Sequence, residues 1–121
     1  MSQIKLGVSP LSWMNSDIPS LGSEISIEQC LKEAAEIGYQ GVELEDPMRK
    51  IMDLLPKLLS DLGIVCAAGW HSTFLLENSL EKELESLKAH MDVLDKIGAR
   101  VVNLAECTYA VHRNPGTPLS T

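Results

Sequence analysis

The chain has few aromatic residues and few cysteines, and it lacks any long apolar run. Two Trp, two Tyr and one Phe occur among its 121 residues, and the three cysteines are widely spaced. Unpaired, scattered thiols are typical of a reduced intracellular protein, and no Cys or His pair has the spacing of a zinc site. No stretch approaches the roughly 18 apolar residues of a membrane span, and no basic, apolar leader opens the chain. We therefore expect a cytoplasmic protein without a membrane segment.

Positive charge is also scarce. Ten Lys and Arg stand against 17 Asp and Glu, for a net charge of −7. This balance argues against a nucleic-acid or anionic-membrane partner. An apolar fraction of 45% over this length predicts one folded domain, 1–121, with a real hydrophobic core.

The chain does contain a repeated unit, in which a helical pattern ends at a glycine and an apolar, β-branched strand pattern follows. Gly38, Gly63 and Gly98 each end a helical pattern and precede an apolar run, as in βα units. Pro56 interrupts the second pattern, which predicts either a kink or a new helix near Leu54 with Asp53 as its cap. The periodicity predicts strands at about 4–8, 41–45, 64–68 and 101–105, helices at about 27–37, 48–61 and 80–97, and an irregular tail at 107–121.

The order βαβαβαβ predicts an α/β fold with a parallel sheet and right-handed crossovers. Four strands fit either a small open sheet or the first half of a TIM (β/α)8 barrel, and periodicity does not separate the two. In both, functional residues gather at the carboxyl ends of the strands. The candidates at those ends are Trp13, Asn15, Glu43, Glu45, Trp70, His71, Ser72 and Glu106.

The three carboxylates at these ends have both structural and functional interpretations. A carboxylate within a strand is costly unless it is used or paired, which favours a functional Glu43 over one paired with a lysine. Glu45 is interpreted as a solvated loop residue or a helix cap. Glu106 is either a site carboxylate or a plain loop residue.

The aromatic and histidine candidates also have two interpretations each. Trp13 and Trp70 either close the end of the core or form walls for the apolar face of a sugar ring. His71 is either a neutral loop histidine or a polar ligand or proton donor. No nucleophile elbow and no Gly-rich phosphate loop accompanies them.

Several segments of the chain resemble the inosose dehydratase family, which lies in the xylose isomerase-like sugar isomerase/epimerase superfamily. The most specific is the P-L-S-W-x-N segment after the first strand, whereas the segment around Glu43 is shared across the superfamily. The segments are Val8-Ser-Pro-Leu-Ser-Trp-Met-Asn15, Gly38-Tyr-Gln-Gly-Val-Glu-Leu44, Ala68-Gly-Trp-His-Ser72 and Thr117-Pro-Leu-Ser120.

The resemblance implies a TIM barrel of about 250 residues or more, of which this chain forms the N-terminal part. It implies a lyase of inositol catabolism that dehydrates an inosose, 2-keto-myo-inositol. It also implies a divalent metal, manganese or cobalt, that stabilises the enediolate-like charge. The metal ligands of the superfamily come from later strands, so none transfers to this chain. On this basis we predict Glu43 and His71 as catalytic residues, and as substrate-binding residues Trp13, Asn15, Trp70 and Glu106.

Two other functions remain open. One is a sugar isomerase or epimerase that uses the same metal chemistry without loss of water. The other is a non-catalytic fragment that binds a small polyol or keto-sugar or serves a structural role. A half barrel exposes unpaired backbone and apolar surface at its edge strands, so we also expect self-association.

Overall fold

The computed structural model describes residues 4–16, 18–111 and 114, and it contains one sheet of parallel strands. The strand order in the sheet is β1-β2-β3-β4, and each neighbouring pair is parallel. The strands are β1 (Gly7–Val8), β2 (Gly41–Leu44), β3 (Val65–Thr73) and β4 (Val101–Glu106). The helices are α1 (Ile27–Ile37), α2 (Asp46–Arg49), α3 (Leu55–Leu62) and α4 (Leu80–Lys96), with a 3-10 turn at Pro10–Ser12. The predicted parallel α/β class is confirmed.

Two strands differ by more than one residue at an end from their predicted ranges. β1 covers only Gly7–Val8 rather than 4–8. β3 continues to Thr73, past the predicted end at 68, because its ladder with β4 pairs every position from Ala68 to Thr73. The longer β3 carries residues 69–73, which lie beyond the predicted strand, into the sheet.

The helix predicted at 48–61 is two helices, α2 and α3. Pro56 lies in the first turn of α3, where a missing backbone N–H costs nothing. The cap residue is Leu54, without a side-chain cap bond, rather than Asp53. Of the predicted irregular tail, residues 112–113 and 115–121 lie outside the described part of the chain, as does the segment Thr117-Pro-Leu-Ser120.

The repeated glycine ends its helices as predicted. Gly38 follows α1 with φ 104° and Gly63 follows α3 with φ 68°, and each N–H bonds back to carbonyls of the last turn. Nothing lies within 4 Å of a Cβ built at either position. The backbone conformation, not lack of space, therefore favours glycine there.

The core lies between the helices and one face of the sheet. The cysteines are free and buried, and burial raises the pKa of the Cys30 and Cys66 thiols to about 11. They therefore behave as small apolar side chains. The largest fully buried side chains are Leu31, Met48, Leu55, Leu94, Val42, Pro10 and Cys30. In the described residues no helix has the length and apolar character needed to cross a membrane.

Helix α4 packs closely on β3 at Gly69. A Cβ built on Gly69 would lie 2.7 Å from Leu94 Cδ2 and 3.0 Å from His90 Nε2. Side chains alternate along a strand, so Trp70 and Ser72 project from the other face of the sheet. That other face is open, and Trp70 is 50% exposed on it.

Candidate functional site

A cavity of about 580 Å³ lies at the carboxyl ends of β2 and β3. Its volume falls within the range of small-molecule sites. Carboxylates, hydroxyls, a guanidinium and an indole face it together, a mixture that suits a small polyhydroxylated ligand. The lining residues are Leu11, Ser16, Glu43, Leu44, Glu45, Asp46, Arg49, Trp70 and Ser72.

Glu43 lies on β2 and lines this cavity. Its partner is an amide rather than a lysine, because Asn103 Nδ2 donates to Glu43 Oε1 at 2.8 Å. Asn103 lies on β4, paired with Trp70 of β3. Asn103 was not predicted as a site residue, since an isolated amide in a strand belongs to no motif. Only the alternation of β4 could have placed it on the open face.

Glu45 occupies the cap position of α2, as one interpretation of the sequence had it, but its side chain makes no cap bond. Instead Ser9 Oγ donates to Glu45 Oε1 at 3.4 Å and Ser16 Oγ donates to Oε2 at 3.2 Å. Burial raises the pKa of the Glu45 carboxyl, and the negative charges of Glu43 and Asp46 raise it further. The two hydroxyl donors lower this pKa, but the net shift is upward. Glu45 is therefore a half-buried carboxyl whose pKa lies above its usual value, beside Glu43 in one cavity.

Arg49 connects the cavity to helix α4. Its Nη2 lies 2.8 Å from His90 Nδ1, and its Nε lies 3.6 Å from Asp46 Oδ1. A guanidinium only donates, so His90 Nδ1 must accept and the imidazole must be neutral. Burial lowers the pKa of His90, and the nearby Arg49 and His71 lower it further. Arg49 was not predicted as a site residue, because its contact with His90 joins residues far apart in the chain.

His71 lies on the opposite side of β3 from the cavity. Its ring packs against that of His90, with centroids 5.2 Å apart and planes at 34°. Its Nε2 is buried and has no hydrogen-bond partner in the described part of the chain. The structure therefore does not bring His71 to Glu43, and the catalytic role of His71 stays a prediction.

The two tryptophans have different surroundings. Trp13 Nε1 donates to Glu33 Oε2 of α1 at 2.6 Å, and its ring packs against the core. Trp70 Nε1 donates to Ser72 Oγ at 3.1 Å, and its ring lines the cavity. The structure thus places Trp70 at the site and Trp13 against α1.

Asn15 lies in the loop between β1 and α1. Its Oδ1 accepts from the backbone N–H of Ile18 at 2.8 Å, and it lines a neighbouring cavity of about 350 Å³. Ser16 and Glu45 line both cavities. Asn15 therefore stands next to the Glu43 cavity rather than in it.

Glu106 has a structural environment at the end of β4. Its Oε2 accepts from Leu75 N at 3.0 Å and Thr73 Oγ1 at 3.2 Å, and its Oε1 accepts from Thr108 N at 2.7 Å. Hydrogen bonds from Thr108, Leu75 and Thr73 lower the pKa of the Glu106 carboxyl to about 2. Both oxygens join loop segments, and a substrate-binding role for Glu106 stays a prediction.

The residues described here do not fit the divalent metal that the resemblance implies. Within 4–16, 18–111 and 114, no group of three or more His, Cys, Asp or Glu side chains could hold a metal ion. No step of the chemistry proposed below passes through a metal.

Two solved structures share the fold of this chain. A family 2 AP endonuclease from Brucella melitensis matches with a TM-score of 0.60 and 13% identity, over 85% of this chain and 41% of its own. A probable 3-DHS dehydratase, AsbF, from Bacillus anthracis matches with a TM-score of 0.59 and 14% identity. The match covers 84% of this chain and 38% of the AsbF chain. The chain is thus an α/β protein with about half of a TIM barrel, as predicted.

The resemblance to inosose dehydratases is also confirmed. An inosose dehydratase from Geobacillus thermodenitrificans is 37% identical over 118 residues, which is 98% of this chain and 40% of the relative. One from Clostridium perfringens is 32% identical over 118 residues. The rhizopine catabolism protein MocC from Rhizobium meliloti is 32% identical over 120 residues, 99% of this chain and 37% of its own. The chain thus spans about 40% of the length of the curated relatives it matches, and no protein-family model matches it.

Proposed function

We propose that this chain carries the substrate-binding part of a hydro-lyase that dehydrates an inosose, 2-keto-myo-inositol, in inositol catabolism. One observation carries the proposal: Glu43 and Glu45 face the same cavity at the end of β2, with Trp70 beside them. The similarity to proteins named inosose dehydratase supports the substrate class.

The cavity offers complementary groups to a keto-polyol ring. The half-exposed Trp70 indole provides an apolar surface for the C–H face of the ring. The carboxylates of Glu43 and Asp46 accept hydrogen bonds from ring hydroxyls, and bonds to ionised acceptors are the stronger kind. Binding in this orientation holds the carbon next to the ketone near Glu43.

Dehydration needs one group that takes a proton and one that gives a proton. Glu43 takes the proton from the carbon next to the ketone, which leaves an enolate. The enolate electrons then form the C=C bond as the C–O bond on the next carbon breaks. Glu45, which holds its proton more readily than an ordinary carboxyl, protonates the leaving hydroxide as water. Arg49 provides positive charge for the enolate oxygen while the charge develops.

The test is dehydration of 2-keto-myo-inositol by the chain and by any longer product of its reading frame, with binding to each measured by calorimetry. We expect Glu43→Gln to weaken binding by about tenfold or more, as loss of a charge-assisted bond predicts. Glu85→Gln, the same change on the exposed surface of α4, is the control.

The outcomes separate the candidate functions. Release of water from 2-keto-myo-inositol supports the dehydratase. Conversion without loss of water favours a sugar isomerase or epimerase, and binding without turnover in either form favours a non-catalytic sugar-binding role. Failure of both forms to bind the ligand contradicts the proposed site.

We also propose that the chain associates with a second copy through its exposed edge. In the described residues β4 has no neighbour on its outer side. Leu104 is 55% exposed on β4, and Leu84 and Met91 are 56% and 51% exposed on α4. Sedimentation velocity should show a species above the 13.3 kDa monomer as concentration rises. A single monomer at high concentration contradicts self-association.

A further inference from the structure

We propose that Asn103 is a positioning residue for Glu43, which it reaches by crossing over β3 at Ala68. This inference rests on the proposed role of Glu43 at the cavity. It assigns a function to a strand residue that no motif marks.

The bond between these two side chains joins strands that are not neighbours. Glu43 pairs with Ala68 of β3, and Ala68 pairs with Val101 of β4. Asn103 lies two residues beyond Val101, opposite Trp70. Adjacent strands are about 4.8 Å apart, so the backbones of β2 and β4 are separated by about 10 Å. The 2.8 Å bond from Asn103 Nδ2 to Glu43 Oε1 therefore passes over β3.

The small residue at position 68 makes this crossing possible. Glu43 and Asn103 line a common cavity of about 220 Å³, whose lining also includes Ala67 and Ala68 of β3. A larger side chain at position 68 would occupy the space through which Glu43 and Asn103 meet.

A local irregularity in the sheet brings Glu43 into this register. Val42 pairs with Cys66, but the next residue, Glu43, pairs with Ala68 because the register shifts between them. Such irregularities often redirect one side chain near a functional site. Here the shift carries Glu43 one residue further along β3, toward Trp70 and the 580 Å³ cavity.

The bond leaves one oxygen of Glu43 available. Asn103 occupies Oε1, and in the described part of the chain Oε2 accepts no hydrogen bond. An amide donor holds the carboxylate without bringing a competing positive charge. Asn103 thus selects one orientation of Glu43 and presents Oε2 to the ligand.

The test is a double-mutant cycle on binding of 2-keto-myo-inositol, measured by calorimetry. Asn103→Leu removes the donor at similar size, and we expect about tenfold weaker binding. In a Glu43→Leu background, where the acceptor of this bond is absent, the same substitution should have little further effect, because Asn103 acts through Glu43. Asn103→Gln, which keeps the amide donor, should restore part of the affinity. Equal losses from Asn103→Leu in both backgrounds would overturn the proposal.

A second measurement needs no ligand. By NMR, the Asn103 side-chain amide protons should exchange more slowly with water than in the urea-unfolded chain. Exchange should become faster in Glu43→Leu and in Ala68→Leu, with the backbone spectrum showing that each variant remains folded. If the wild-type chain does not bind the keto-polyol, the proposed function fails while this exchange still decides the role of Asn103. Exchange as fast as in the unfolded chain overturns the positioning role.

Discussion

The two faces of β3 differ in what lies against them. On one face, Gly69 and His71 meet helix α4, where a single added methyl group at Gly69 would collide with Leu94. On the other face, Trp70 and Ser72 line an open cavity with Glu43. Neighbouring residues of one strand thus face a packed helix on one side and the candidate site on the other. Residue type alone does not reveal the division, because His71 and Trp70 both look like site residues.

The largest expected effect tests the packed face. Gly69→Val should lower the free energy of unfolding by about 3 kcal/mol, because its side chain must displace Leu94 and His90 in a filled space. Ser72→Val, on the open face, should change the free energy by less than about 1 kcal/mol. Urea unfolding followed by circular dichroism measures both. Similar losses in the two variants would show that the faces do not differ in packing.

The elements that could be predicted from sequence are those with local causes. The helices and the glycines that end them follow from apolar periodicity and from the low cost of positive φ at glycine, as at Gly38. Pro56 marked the break between α2 and α3 for an equally local reason. Local chemistry therefore predicted the βα order and, to within one residue, the carboxyl ends of β1, β2 and β4.

The arrangement of side chains at the site has non-local causes. The end of β3 depends on its ladder with β4, and the side on which His71 lies depends on α4 packing at Gly69. The Glu43 contact with Asn103 crosses a whole strand, and the Arg49 contact with His90 joins α2 to α4. None of these leaves a pattern in a short window of sequence. Glu43 and Trp70 could therefore be predicted as site residues at strand ends, but their partners could not.

The next effect tests the open face. Trp70→Ala should weaken binding of 2-keto-myo-inositol by up to about tenfold, because the ring surface against the ligand is lost. It should lower the free energy of unfolding by only about 1–2 kcal/mol, since the indole is 50% exposed. Calorimetry and urea unfolding measure the two quantities, and Trp70→Phe should retain most of the affinity. A large loss of stability with unchanged affinity would instead assign Trp70 to the core.

The smallest expected effect is a pH dependence on the packed face. Burial, Arg49 and His71 lower the pKa of His90 in the folded chain. As the pH falls through the unfolded value of about 6.5, the unfolded chain binds a proton at His90 before the folded chain does. Stability is therefore full above that pH and declines below it, until the folded pKa is reached.

His90→Asn keeps an acceptor for Arg49 but cannot titrate, so the variant should lose less stability between pH 7 and 5 than the wild type. Urea unfolding across this range measures the difference between the two proteins. Equal slopes would mean that His90 gains its proton as easily in the folded chain as in the unfolded one, and that the packed face is open to water near Arg49.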